Sequence, residues 1–123
     1  MPGEAILVVD DNAVNLKLAR VLLEKAGYAV RTAADGEEAL AALKDFRPRL
    51  ILMDLQMPGL DGLQVTRLLK ADPATAGIKV VALTAYAMKG DDARAMAAGC
   101  DAYLPKPIDT RTFAATVAGL LGD

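Results

Sequence analysis

Histidine is absent from the 123-residue chain, and cysteine occurs once, as Cys100. Without histidine, Ser-His-Asp and Cys-His catalysis and histidine-ligated zinc sites are excluded. One cysteine cannot form an internal disulfide, a thiolate zinc site or an iron–sulfur cluster, and it agrees with a reducing cytosol. Metal chemistry in this chain must therefore use oxygen ligands, which favour hard cations such as Mg²⁺.

A large excess of one charge and a long apolar run are also missing. The 14 basic and 16 acidic residues give a net charge of −2 without a Lys/Arg cluster, so we expect no direct nucleic-acid partner. The longest charge-free stretch near the middle, residues 80–88, is far shorter than the roughly 18–20 residues that span a bilayer. The N-terminus lacks the positive start of a signal peptide. We therefore expect a cytoplasmic protein that does not bind a membrane.

Apolar residues make up 54% of the chain, above the roughly 45–50% of average domains, and the length suits one domain over residues 1–123. Short continuous apolar runs predict strands that are buried on both faces. Three of these runs are strong, while the second and the last are weaker. The predicted strands are Ala5–Val9, Ala29–Ala33, Leu50–Met53, Val80–Leu83 and Asp101–Leu104.

Segments with helical spacing lie between and after these strands. The first predicted helix stops at Gly27, and its apolar face is formed by Val14, Leu18, Val21 and Leu22. A capping box at residues 35–38 opens a second helix, which runs through Leu43 and Phe46 until Pro48 closes it. Three more helices are predicted. The third is indicated by Val65, Leu68 and Leu69, and the fourth by Ala93, Met96 and Ala97 before Gly99. The fifth begins near Asp109 and is indicated by Phe113, Val117, Leu120 and Leu121.

The strict alternation of strand and helix indicates a parallel sheet covered by helices on both faces. Five units in this length favour an α/β fold with a doubly wound five-stranded parallel sheet in the order 2-1-3-4-5, the flavodoxin-like (βα)5 arrangement. A barrel would need eight such units.

Polar side chains follow the carboxyl ends of the predicted strands, where ligands bind in such sheets. Asp10 and Asp11 follow the first strand, Asp54 the third, Thr84 the fourth and Lys106 the fifth. Three carboxylates that lie together repel one another and need a compensating charge, which Mg²⁺ supplies. Taken one at a time, the acids suit caps or turns and the other two suit a strand end and a solvated lysine. Their joint occurrence at strand ends favours a functional site.

The acidic loop after the first strand disfavours a nucleotide cofactor, because its phosphates would meet carboxylates rather than free N–H groups. The phosphate-binding pattern G-x-x-x-x-G-K-[ST] does not occur either. A phosphate in this site must be bridged by a metal ion and contacted by Lys106 and Thr84. These groups suit phosphoryl transfer to a carboxylate nucleophile.

The sequence resembles the receiver domain of two-component response regulators, the CheY-like superfamily, over essentially its whole length. Residues 87–91 are similar to single-domain regulators and to the receivers of hybrid kinases. The stretches that carry the resemblance are Val8-Val9-Asp10-Asp11-Asn12, the run from Leu52 to Gly62 (LMDLQMPGLDG), Leu83-Thr84-Ala85 and Leu104-Pro105-Lys106-Pro107.

The resemblance implies a phosphoacceptor that works with a histidine kinase or a histidine phosphotransfer protein. Asp54 would accept the phosphoryl group from a phosphohistidine of that partner. Asp11 and Asp54 would ligate Mg²⁺ together with the main-chain carbonyl of Gln56, while Asp10 would help to hold the metal ion through water. Such a protein catalyses only its own phosphorylation and slow autodephosphorylation, so it is not an enzyme in the usual sense.

The resemblance also implies a switch. Lys106 would pair with the phosphoryl oxygens, and Thr84 would donate its hydroxyl to one of them. The ring of Tyr103 would then follow Thr84 inward. A downstream protein target would bind the face formed by the fourth predicted helix, the last strand and the last helix.

Two other functions remain open at this point. An aspartate-nucleophile phosphatase on a similar sheet uses a D-x-D motif whose second acid protonates the leaving group, but Gln56 stands at that position. A degenerate receiver that acts only as a constitutive interaction module would not need the five polar residues at the strand ends. An assay of Mg²⁺-dependent phosphorylation separates these cases.

Overall fold

A computed structural model describes residues 4–55, 62–84, 96–105 and 109–121. Within these ranges the strands β1–β5 are Ala5–Val9, Ala29–Ala33, Leu50–Asp54, Lys79–Thr84 and Ala102–Pro105. The helices α1–α4 are Ala13–Lys25, Gly36–Ala42, Gly62–Ala71 and Phe113–Leu121, and residues 96–98 are helical as well. None of the helices in these ranges has the length and apolar composition that crossing a membrane requires.

The five strands form one parallel sheet in the order β2-β1-β3-β4-β5. The predicted α/β fold and strand order are therefore confirmed. β3 lies at the centre, and all five of its residues are buried. A strand covered on both faces has no solvent-facing positions, which explains why its sequence is continuously apolar up to Asp54.

Two apolar cores lie on opposite faces of the sheet. In β1, Leu7 and Val9 belong to the core under α2 and α3, whereas Ile6 and Val8 belong to the core under α1 and α4. The same alternation continues in β3 and β4. This arrangement is the doubly wound architecture that the sequence predicts.

The predicted apolar face of the first helix is confirmed only in part. Leu22 packs against the core, but Val14 and Val21 are 75% and 51% exposed, and the buried residues are Ala19 and Leu23. The helix is apolar on more than one side, so its spacing allows two stripes. Packing selects the stripe that contains Ala19, whose small side chain lets α1 lie close to the sheet.

The second helix is confirmed at its start and shorter than predicted at its end. Asp35 Oδ1 accepts the Glu38 N–H at 2.8 Å, and Glu38 Oε1 accepts the Ala34 N–H at 2.9 Å, as in a capping box. α2 ends at Ala42, with a turn over residues 43–45. Leu43 and Phe46 still pack against the core, so the apolar period continues beyond the helix itself.

Other helix predictions also differ from the structure in detail. Leu68 and Met96 are exposed rather than packed in the core. The last helix begins at Phe113 rather than near Asp109, because a turn over residues 110–112 precedes it. Ala93 lies outside the described residues.

Lys70 connects the end of α3 to the amino-terminal ends of β4 and β5. Its Nζ donates to the carbonyl of Ile78 at 2.9 Å and to Asp101 Oδ2 at 2.9 Å. The same carboxylate oxygen accepts the Val80 N–H at 2.8 Å. Gly99 has a φ of 108°, and a Cβ there would lie 2.8 Å from Lys70 Cγ, so glycine is needed beside this lysine.

Candidate functional site

The carboxyl ends of β1, β3 and β4 lie at one edge of the sheet. Val9 pairs with Met53, and Asp54 pairs with Leu83, so the first residue after β1 lies beside the end of β3. The Leu55 N–H donates to the Leu83 carbonyl at 3.1 Å and extends the pairing by one residue. This register brings the polar residues that follow these strands together.

Asp10, Asp11 and Asp54 form an acidic cluster at this edge. One carboxylate oxygen from each residue lies within 4.8 Å of the other two. Asp10 and Asp54 are only 1% and 3% exposed, whereas Asp11 is open to solvent. Buried carboxylates at this spacing repel one another, and a divalent cation offsets that repulsion. A set of three carboxylate oxygens fits Mg²⁺, which prefers hard oxygen ligands and keeps several waters.

Asn12 positions the acidic loop against α1. Its backbone N–H donates to Asp10 Oδ1 at 2.9 Å, and its side-chain Oδ1 accepts the N–H groups of Val14 and Asn15 at 2.9 and 3.1 Å. Asn12 is therefore the N-cap of α1, a role that also suits Asp10 and Asp11 when those residues are considered alone. The signal that identifies it is an asparagine directly before the first helical residue.

Gly62 allows α3 to begin against the backbone of Asp54. A Cβ on Gly62 would lie 2.3 Å from the Asp54 carbonyl oxygen, much closer than two such atoms can approach. Thr66, one turn later, donates its hydroxyl to the Gly62 carbonyl at 2.7 Å and fixes this first turn. Gly62 lies in a stretch that resembles the receiver family, but the sequence pattern alone does not indicate this close packing.

The structure brings together three of the predicted site residues. The backbone of Thr84 ends β4 and pairs with Pro105 of β5, while the Thr84 side chain lies outside the described part. Gln56 and Lys106 also lie outside the described residues. The roles of these three residues remain predictions. Tyr103 lies on the edge strand β5, opposite Ala82, and is 43% exposed.

Comparison with protein families gives one match over most of the chain. Residues 6–118 match the response regulator receiver domain. Among curated proteins, the polar-differentiation response regulator DivK of Brucella anthropi is 45% identical over 120 residues, which cover 98% of each chain.

Solved structures give the same result. The receiver domain of a sensor histidine kinase from Pseudomonas aeruginosa, which has a magnesium ion coordinated in its active-site cleft, is 35% identical with a TM-score of 0.88. The match covers 98% of this chain and 99% of that one. A putative response regulator from Chloroflexus aurantiacus is 30% identical with a TM-score of 0.92, at the same coverage.

Proposed function

This chain belongs to the response regulator receiver domain family, and from that premise we propose that it is a phosphoacceptor switch with Asp54 as the phosphorylated residue. The observation that carries the proposal is the position of Asp54. It ends the central strand and is buried, with a carboxylate oxygen within 4.8 Å of Asp10 and Asp11. We further infer that residues 1–123 form this one domain.

The acidic cluster is the proposed Mg²⁺ site. Asp11 and Asp54 would supply direct oxygen ligands with the main-chain carbonyl of Gln56, and Asp10 would contribute through water. When bound, Mg²⁺ offsets the carboxylate charge so that an anionic phosphoryl group can approach. The receiver structure from Pseudomonas aeruginosa with magnesium in its cleft supports this assignment.

In the proposed reaction, Asp54 attacks a phosphohistidine of a histidine kinase or histidine phosphotransfer protein. A lone pair of an Asp54 carboxylate oxygen forms the new P–O bond while the P–N bond to the imidazole breaks. The imidazole nitrogen keeps the bonding electrons and takes up a proton from water. Lys106 pairs with the phosphoryl oxygens, and Thr84 donates its hydroxyl to one of them.

The proposed output is a change of the face that contains β5 and α4, together with the helix that ends at residue 98. A phosphoryl group on Asp54 adds roughly −1.5 to −2 charge at the carboxyl ends of β3 and β4. Thr84, at the end of β4, responds to this group, and Tyr103 on the neighbouring strand moves inward. A downstream protein then binds the altered face.

Phosphorylation with a small donor tests the acceptor. Wild type and Asp54→Asn are incubated with acetyl phosphate and Mg²⁺, and their intact masses are compared. We expect a phosphate adduct on wild type and none on Asp54→Asn, because the substitution removes the nucleophile and keeps the side-chain shape. Asp45→Asn is the matched control, since Asp45 is an exposed acid that pairs with Arg31.

The metal is tested in the same assay. A chelator should abolish the adduct, and added Mg²⁺ or Mn²⁺ should restore it. Asp11→Ala should behave like chelated wild type.

Two results would contradict these assignments. A full phosphate adduct on Asp54→Asn would place the acceptor elsewhere. A full adduct on Asp11→Ala would remove Asp11 from the metal site.

A further inference from the structure

A groove of about 710 Å³ lies between α2 and α3, away from the acidic cluster. One wall is the end of α2 with the turn that follows, and the other is the end of α3 with residues 72–75. Along the chain, the α2 wall precedes the amino-terminal end of β3, and the α3 wall precedes the amino-terminal end of β4. Asp54, in contrast, is at the carboxyl end of β3. The groove is therefore near the edge of the sheet opposite the phosphorylation site.

The floor and one rim of the groove are apolar. Leu43 and Leu69 are buried and belong to the core under these helices, and Leu40 is packed against it. Leu68 lines the same groove and is 51% exposed. Leu40 and Leu68 are therefore the leucines whose side chains a partner could cover, above the buried Leu43 and Leu69.

The rim on the α2 side is positively charged. Lys44 and Arg47 line the groove and are exposed, and neither forms an ion pair with any residue that the structure describes. Of the neighbouring acids, Asp45 pairs with Arg31 at 2.9 Å. Asp72 lines the opposite wall, where its Oδ1 accepts the Ala74 N–H at 2.9 Å, and it keeps its negative charge, so the positive charge lies on the α2 rim. Two cations beside an apolar floor complement an acidic, amphipathic occupant.

We propose that this groove binds an acidic amphipathic helix of a partner protein. Its apolar stripe, spaced i, i+3 or i+4 and i+7, packs on Leu40 and Leu68 in the manner of a helix in a groove. Its glutamates or aspartates lie beside Lys44 and Arg47. A second copy of this chain fits less well, because two of the three acids at the start of its α2, Asp35 and Glu38, already accept backbone N–H groups at that helix start.

The position of the groove makes this binding independent of the phosphorylation state. α2 and α3 cover the face of the sheet opposite α1 and α4. None of the residues that line the groove belongs to β5, α4 or residues 96–98, so a helix in the groove leaves open both the edge that contains Asp54 and the proposed output face. The groove would hold the receiver beside a partner before and after phosphoryl transfer, a function beyond the phosphoacceptor switch.

A designed peptide tests the groove. The probe is a fluorescent synthetic helix with leucine at i, i+3 and i+7 and glutamate on both flanks, and its control has lysine in place of glutamate. We expect the acidic probe to bind and to shift the amide signals of residues 40–47 and 68–75. The double variant Lys44→Glu/Arg47→Glu should weaken binding about tenfold or more. Leu68→Asp should do the same, and its exposed position keeps the fold intact.

The matched control variant is Lys17→Glu/Lys25→Glu on α1, which changes the net charge equally and should leave binding unchanged. Equal binding by wild type and phosphorylated protein is also expected. The proposal is overturned if the lysine probe binds as well, if Lys44→Glu/Arg47→Glu binds normally, or if the shifts map to α1 or the acidic cluster. Sedimentation that shows self-association through the groove would identify a second copy as the occupant and overturn it too. The measurements with the two probes and with the variants use no phosphodonor, so their outcomes do not depend on the role of Asp54.

Discussion

At the scale of single residues, Asn12 links two structural tasks that are usually separate. Its backbone orients the carboxylate of Asp10, and its side chain caps α1. The capping hydrogen bonds order the turn at residues 10–12, and this turn holds the carboxylate of Asp10 in place. A change at the cap should therefore affect both the free energy of unfolding and the affinity of the acidic cluster for a cation.

We expect Asn12→Ala to lower the free energy of unfolding by about 1 kcal/mol, the usual cost of losing an N-cap. The same variant should bind Mg²⁺ several-fold more weakly, because the turn that holds Asp10 is less ordered. Asn12→Ser keeps a capping oxygen and should restore both quantities. Urea unfolding and a Mg²⁺ titration followed by amide shifts give the two values. Unchanged Mg²⁺ affinity in Asn12→Ala would show that the cap does not position the acid.

Cys100 gives a prediction about pH. The thiol is buried against Thr66, and burial raises the pKa of Cys100 above its ordinary value of 9.0. Between that value and the raised pKa, the unfolded chain loses the proton while the folded chain keeps it. The contribution of the thiol to stability is therefore complete below about pH 9 and is lost as pH rises through the raised pKa.

Urea unfolding at a series of pH values up to 10 checks this expectation. Wild type should lose more stability above pH 9 than Cys100→Ala, whose other titrating groups are the same. Native wild type should also react with iodoacetamide far more slowly than the unfolded chain. Parallel stability curves for the two proteins would contradict the assigned titration.

At the scale of elements, the start of α3 is positioned by the absence of a side chain at Gly62. We expect Gly62→Ala to cost about 1–3 kcal/mol of stability, as overpacking usually does, because its Cβ would collide with the Asp54 carbonyl. It should also reduce phosphorylation by displacing the backbone of Asp54. Chemical denaturation and the mass assay measure the two effects.

Gly119 is the matched control for this prediction. It lies inside α4 and has no atom within 4 Å of the position of an added Cβ. Gly119→Ala should therefore stabilise the protein by about 0.5–1 kcal/mol through helix propensity alone. If Gly62→Ala were stabilised as much as Gly119→Ala and phosphorylated normally, close packing of Gly62 against Asp54 would not be what requires glycine there.

The strands were easier to predict from sequence than the helices, for a physical reason. A strand buried on both faces must be continuously apolar, and β1, the clearest such run, has the predicted bounds. The edge strand β2 has the predicted bounds too, although only Ala33 of its residues is buried and its sequence is only partly apolar. Which face of a helix becomes buried depends on the elements it packs against. α1 is apolar on more than one side, and the sequence does not show that Ala19 rather than Val14 packs on the sheet.

The functional features were likewise predictable from the sequence only in part. The rule that ligands bind at the carboxyl ends of parallel strands was sufficient to place Asp10, Asp11 and Asp54 together. The groove between α2 and α3 was not predictable, because the neighbourhood of Lys44 and Leu68 is a property of tertiary packing. The same applies to Gly62, whose contact with Asp54 joins two elements.

At the scale of the whole molecule, we expect the proposed output face and the groove between α2 and α3 to respond differently to phosphorylation. We expect beryllium fluoride with Mg²⁺, an acyl-phosphate mimic, to shift amide signals from the Asp54 edge into β4, β5 and α4. The groove residues 42–47 and 68–75 should shift little. The coupling between the two states should amount to about 1–3 kcal/mol, as is typical of such switches.

Tyr103 provides a local readout within that experiment. The residue is 43% exposed without the mimic, and its ring should become less accessible with it. Solvent-accessibility measurements on the ring test this, with Tyr28, the residue just before the other edge strand, as an internal reference. Shifts confined to the acidic cluster and a Tyr103 ring of unchanged exposure would show that the output surface lies elsewhere.

The hydrogen bonds of Lys70 determine what kind of movement β4 and β5 can make. Lys70 and Asp101 join the amino-terminal ends of both strands, and the Asp101 N–H adds a bond to the Val80 carbonyl at 2.8 Å. With that end held, we expect a displacement that begins near Asp54 to rotate the strands rather than slide them as a body. The hinge of this rotation would lie at Lys70, and its amplitude would grow along each strand toward the proposed phosphoacceptor.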